Sequence, residues 1–150
     1  MEAIAAQLET HIHYYIARLR EIPEQAVIDK PSPAKWSKKE ITGHLIDSAQ
    51  NNIRRFVVAQ YENEPYIVYN QDQWVLIAGY QDYNWPDLVE LWYLLNKHIV
   101  VILENMNSLT ARRVSRSEDV HTLEWLAQDY IRHLQHHLHQ VLDLEPVAYP

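Results

Sequence analysis

Apolar residues recur at three- and four-residue steps in four separate stretches of the chain, the spacing of one buried helix face. Ile4, Leu8, Ile12, Tyr15, Ile16 and Leu19 predict a first helix over about residues 2–20. Pro23, Pro31 and Pro33 follow it and mark a connection. Ser37 and Glu40 then form a capping-box pattern, in which each side chain satisfies a free backbone donor of the first turn. Ile41, Leu45, Ile53 and Phe56 carry that second helix to about residue 60, short of Pro65. Pro86 suits the first turn of a third helix, continued by Leu88, Leu91, Trp92, Leu95, Ile99, Ile102 and Met106. Leu123, Leu126, Tyr130, Leu134, Leu138 and Val141 predict a fourth over residues 122–142. The tail, with Pro146 and Pro150, reads as extended.

Two connections break the pattern. Residues 62–83 are long and aromatic, with Tyr66, Tyr69, Trp74, Tyr80 and Tyr83, and a short helical piece is expected near residues 72–78. A connection of that length is either functional or a packed cover for one end of the fold. Residues 107–120 are polar and read as a loop. With no internal repeat and no low-complexity linker, the expectation is one domain, 1–150, folded as an all-α four-helix bundle. The crossover between the second and third helices is too long for a tight turn, so up-down-up-down connectivity does not follow.

Composition narrows the functional classes. A net charge of −7 repels nucleic acid, whose binding is led by phosphate neutralisation. Arg112, Arg113 and Arg116 form the one local basic cluster of note, and short clusters of this kind are usually solvated loops. Glycine occurs only at Gly43 and Gly79, too few for a phosphate-cradling loop or a Rossmann turn. No start resembling a signal peptide and no apolar run of membrane-spanning length are visible, so no membrane association is expected. The absence of cysteine excludes a disulfide framework and a thiolate metal site, and fits a cytoplasmic setting. Any metal would be held by imidazole or carboxylate. Histidine is abundant, with 9 in the chain.

The candidate chemistry lies in the run His133-Leu134-Gln135-His136-His137-Leu138-His139. Residues four apart on a helix share a face, so His133 and His137 can present two imidazoles to one ion, in phase with Tyr130, Leu134 and Leu138. His136 and His139 fall toward the flank or solvent. Transition metals require three or four ligands, or three and a water. The candidate third is His44 on the second helix, in a polar stripe with Asp47, Ser48, Asn51 and Arg55 beside the apolar one. On chemistry alone a histidine-rich surface helix competes with a metal site.

The stretch Trp36-Ser37-Lys38-Lys39-Glu40-Ile41-Thr42-Gly43-His44-Leu45-Ile46-Asp47-Ser48, followed by Asn52, Arg55 and Phe56, resembles the DinB/YfiT-like superfamily of four-helix metalloproteins. The crossover Tyr69-Asn70-Gln71-Asp72-Gln73-Trp74 and the run Asp129-Tyr130-Ile131-Arg132-His133-Leu134-Gln135-His136-His137 resemble it too, so that the likeness covers nearly the whole chain. The resemblance implies a metal, usually zinc or nickel, on His44, His133 and His137, and a homodimer. Its nearest branch contains bacillithiol S-transferases and proteins assigned as metal-dependent hydrolases. The implied activity is attack on a small-molecule electrophile by a metal-activated low-molecular-weight thiol, or hydrolysis by metal-activated water. Asp47 and Asp129 are candidates to orient imidazoles, or solvated helix charges. Arg55 is a candidate to hold an anionic part of a thiol, or half of a buried ion pair, and Tyr69 and Trp74 wall the pocket or merely pack. His11, His13, His98 and His121 carry no motif. A structural metal site between two helices and a metal-free interaction bundle remain the rival readings.

Overall fold

In the computed structural model, which describes residues 1–149, the four stripes become four long helices. These are α1 (Glu2–Glu21), α2 (Lys38–Val58), α4 (Trp85–Glu104) and α6 (Leu123–Val141), with short α3 (Gln71–Ala78) and α5 (Ser108–Ala111) in the connections. All six residues of the first stripe and all six of the fourth are buried. They meet Leu45, Ile46 and Phe56 of α2 and Leu88, Trp92 and Leu103 of α4 in one continuous core. Full burial of each such side chain is worth roughly 1.5–3 kcal/mol.

The helix ends follow from local chemistry. Ser37 Oγ accepts from the Glu40 N–H at 3.1 Å while the Ser37 N–H donates to Glu40 Oε2 at 2.8 Å, so the capping box is complete. Asn70, Asn84, Asn107 and Thr122 cap α3, α4, α5 and α6 through their side-chain oxygens. Pro86 lies in the first turn of α4, and Gly79 ends α3 in the left-handed conformation at φ 67°.

The long helices are not arranged in sequence order. α1 packs chiefly on α4, α4 on α2, and α2 on α6, with a smaller α1–α6 contact closing the ring. The consecutive pair α1 and α2 therefore lies on a diagonal, and α2 and α6 become neighbours.

The connections are more structured than the sequence predicts. Residues 107–120 are not a plain loop: they contain α5 and the first strand of an antiparallel hairpin, β1 (Val114–Arg116) and β2 (Val120–Thr122), paired Val114 to Thr122 and Arg116 to Val120. The crossover joins this hairpin through Ile67 N–H to Arg116 O at 2.9 Å and Arg116 N–H to Pro65 O at 3.0 Å. Backbone that covers a bundle end must still satisfy its donors and acceptors, and strand pairing does so. α2 stops at Val58, two residues before the expected end, where the chain turns into the crossover. Beyond α6 the backbone is irregular and returns against that helix; Pro150 lies outside the described residues. No helix among the described residues is long and apolar enough to cross a membrane.

Candidate metal centre

The polar stripe of α2 is buried. His44, Asp47, Ser48, Asn51 and Asn52 all lie inside, although water would solvate each of them. Two are internally satisfied, because Asn51 and Asn52 donate to the carbonyls of Asp47 and Ser48, each at 2.9 Å. His44 faces the other way. Its Nε2 lies 3.1 Å from Nε2 of His133 on α6, and its ring centroid is 5.0 Å from that of His137. The His133 and His137 rings are 4.6 Å apart, and one nitrogen of each of the three imidazoles falls within 4.8 Å of the others.

Burial controls the charge of this cluster. It pushes His44 down to about 3, with the neighbouring His137 adding to the effect. His133 is lowered strongly by burial and by His137, His44 and His136. His137 is lowered by burial, against the opposing hydrogen bond that its ring makes to the Gln140 side-chain oxygen. At neutral pH three uncharged imidazoles therefore converge with lone pairs available. Metal–nitrogen bonds of about 2.0–2.1 Å in a tetrahedral site hold ligand nitrogens roughly 3.3 Å apart, close to the observed His44–His133 separation. The donor set and its spacing fit a divalent transition metal, with a position left over for a water or substrate.

The ring nitrogens that face away have mixed partners. His133 Nδ1 lies 3.4 Å from Ser48 Oγ and His137 Nδ1 lies 2.9 Å from Gln140 Oε1. His44 Nδ1 is buried without a partner among the described residues. Trp36 covers it, with ring centroids 5.0 Å apart.

Beside the cluster lies a cavity of about 690 Å³, lined by His133, Ser48, Arg55, Tyr69, Asp129 and Tyr149 among others. His121 stacks on Trp125 at 3.6 Å between ring centroids, and both line the same cavity. Arg55 donates through Nε and Nη2 to Ile67 O at 3.3 and 3.0 Å and through Nη1 to Asn52 Oδ1 at 3.4 Å. Among the described residues it has no carboxylate at ion-pair distance, so the expected alternative of a buried ion pair is not what holds it. Burial lowers its pKa, while Tyr69, Asp129 and Tyr149 nearby act to raise it.

The DinB superfamily model matches residues 7–141, most of the chain. This chain belongs to the DinB superfamily. A solved structure of YfiT from Bacillus subtilis, described as a probable metal-dependent hydrolase with an unusual four-helix bundle topology, superposes with a TM-score of 0.81. The match covers 95% of this chain and 84% of that one at 18% identity, and it shows the shared fold. No curated protein matches the chain.

Within this DinB protein the two carboxylates do other work than expected. Asp47 accepts from the Tyr80 hydroxyl through Oδ1, and its Oδ2 has no partner among the described residues. Burial lifts its pKa to about 7, against the lowering effect of that hydrogen bond. Tyr80 packs directly against Gly43 on its way to Asp47, and an added Cβ at that glycine would lie 2.2 Å from the tyrosine ring. Asp129 accepts from the Tyr149 hydroxyl at 2.8 Å. Neither carboxylate is hydrogen-bonded to an imidazole of the cluster; Gln140 and Ser48 stand there instead. Tyr69 lines the cavity, whereas Trp74 does not and packs edge-on against Tyr69 with centroids 5.4 Å apart. His136 and His139 are half-buried rather than solvated, and each bonds a backbone carbonyl of the tail. Sequence reasoning missed Gln140, which sits three residues after His137 on one helix face and was open to the same spacing argument. It also missed Tyr149, for which no local pattern existed.

Proposed function

We propose that this DinB protein is a metal-dependent enzyme that activates a small nucleophile at His44, His133 and His137. The supporting observation is the convergence of three uncharged imidazoles beside a cavity of small-molecule size. A divalent ion, zinc or nickel, bound there supplies Lewis acidity that lowers the pKa of a thiol or water and gives a nucleophile at neutral pH. The imidazoles carry no charge to offset that of the ion, so its full polarising power reaches the ligand. Trp36 screens one side of the cluster, and Tyr149, with its ring centroid 5.2 Å from that of His133, screens another.

Transfer of a low-molecular-weight thiol to an electrophile is the first reading. Pockets for drug-sized ligands run from about 300 to 1,000 Å³, and the cavity here has room for a thiol and an electrophile side by side. Arg55, held by a backbone carbonyl and lacking a carboxylate partner among the described residues, would take an anionic group of either one. Hydrolysis is the second reading. It draws support from the description of YfiT and from Asp129, a carboxylate on the cavity wall that would serve as the base toward an attacking water.

The deciding experiment is elemental analysis of protein purified without a histidine tag. About one zinc or nickel per chain is expected in the wild type, and little or none in His44→Ala and His137→Ala. A wild type that takes up neither metal, even after incubation with both, overturns the proposal. Loaded protein is then assayed for conjugation of bacillithiol to monobromobimane and for cleavage of a panel of esters and amides, which separates the two readings.

A further inference from the structure

His136 and His139 belong to the same histidine run as the candidate ligands but add no nitrogen to the cluster. Both face the chain that follows α6. His139 Nδ1 lies 2.5 Å from Glu145 O, and His136 Nδ1 lies 2.6 Å from Val147 O. A carbonyl only accepts, so each of these Nδ1 atoms carries a proton. The Gln140 side chain then bridges two rings. Its amide nitrogen is 3.0 Å from His136 Nε2, and its oxygen is 2.9 Å from His137 Nδ1.

The donor and acceptor roles along this path are mutually consistent in one arrangement. With the His136 ring proton on Nδ1, facing Val147 O, His136 Nε2 offers a lone pair and accepts from the Gln140 amide. That turns the Gln140 oxygen toward His137, where it accepts from Nδ1–H. The reversed amide would set its oxygen against the His136 lone pair, an arrangement with no proton between them. His137 is therefore held as the Nδ1–H tautomer, and its remaining lone pair lies on Nε2.

We propose that Gln140 is a positioning residue that holds His137 in the tautomer able to ligate through Nε2, and that the Val147 carbonyl, acting through His136, sets the direction of the Gln140 amide. The inference rests on the metal-dependent reading and deepens it, since the chain beyond α6 becomes part of what prepares the site. It also gives a role to two histidines that the triad leaves unused: one relays, and the other, His139, fastens the same segment while bonding Tyr15 of α1 at 2.9 Å.

The test uses the full chain and two readouts. Long-range proton–nitrogen NMR of the metal-free protein reports the tautomer of His137 directly, and competition with a chromophoric chelator reports zinc affinity. Wild type is expected to show the Nδ1–H form of His137. Gln140→Leu should give mixed tautomers and zinc binding weaker by about 10- to 100-fold, the usual effect of losing a partner of a metal-bound histidine. His136→Phe should shift both readouts in the same direction. Gln140→Glu, which still offers an acceptor, should keep the wild-type tautomer and bind zinc within about threefold of wild type. Gln140 is exposed, so the two exchanges made there leave the core intact. An Nε2–H tautomer in wild type, or unchanged tautomer and affinity in Gln140→Leu, overturns the inference. Should wild type bind neither zinc nor nickel, the enzyme reading falls, and the NMR comparison alone still decides whether the relay exists.

Discussion

Gly43 shows how far one residue's identity reaches. It stands next to His44 in sequence, yet its contribution is the space it leaves for the Tyr80 ring, which carries the hydroxyl that bonds buried Asp47. Gly43→Ala forces either the ring or α2 to move. We expect a loss of about 1–3 kcal/mol, typical of an overpacked core, read as a lower midpoint in urea unfolding, with helix content retained. At this scale the candidate ligands were legible because helical spacing and imidazole chemistry are both local. His133 and His137 announce themselves by a four-residue step, and His44 by a polar stripe that has no reason to face a core. The true partners of Asp47 and Asp129 were not legible. Tyr80 and Tyr149 come from segments 33 and 20 residues away in sequence, and nothing in the local pattern links them to those carboxylates.

At the scale of elements, the caps carry information that the apolar stripes do not. The Ser37 cap is shared: its backbone and side chain close the first turn of α2, and its hydroxyl also donates to Gln81 Oε1 at 2.7 Å. Gln81 in turn donates to Ile28 O at 2.7 Å, so one serine ties α2 to the crossover and to the chain before it. Ser37→Ala should cost about 1–2 kcal/mol, near the upper part of the range for a lost cap, measured by chemical denaturation against wild type. Long helices were legible because a stripe repeated over five turns outweighs chance. The hairpin was not, since strands of 3 residues are too short to show alternation, and the bridge that ties Arg116 to Tyr66 reaches into the distant crossover.

The whole molecule adds what neither residues nor elements contain, namely which helices are neighbours. The ring order that places α2 beside α6 brings together histidines 89 residues apart in sequence. It also fixes the response of the metal-free protein to acid. His44, His133 and His137 have folded pKa values below the ordinary 6.5, so the unfolded chain binds more protons below that pH and stability falls as pH drops. Asp47 works in the opposite sense. Its folded pKa, about 7, lies above the ordinary 3.8, so its contribution is largest in acid and declines as pH rises across that interval. Three histidines outweigh one carboxylate, and the net expectation is a loss of stability between about pH 6.5 and pH 4, each group contributing at most about 1.4 kcal/mol per pH unit. Asp47→Asn removes the opposing contribution, so its urea midpoint in chelator should fall more steeply with acidification than that of wild type; an equal slope would refute the assignment. The cavity walls carry a different consequence. His133, Ser48 and Arg55 stand on long packed helices, whereas Tyr69, Asn70 and the turn at Ser117–Asp119 stand on connections. A scaffold divided in this way keeps its three-histidine cluster constant while the contour of the cavity mouth is revised, so exchanging the residues of that turn is the natural place to begin changing which small molecules the cavity admits.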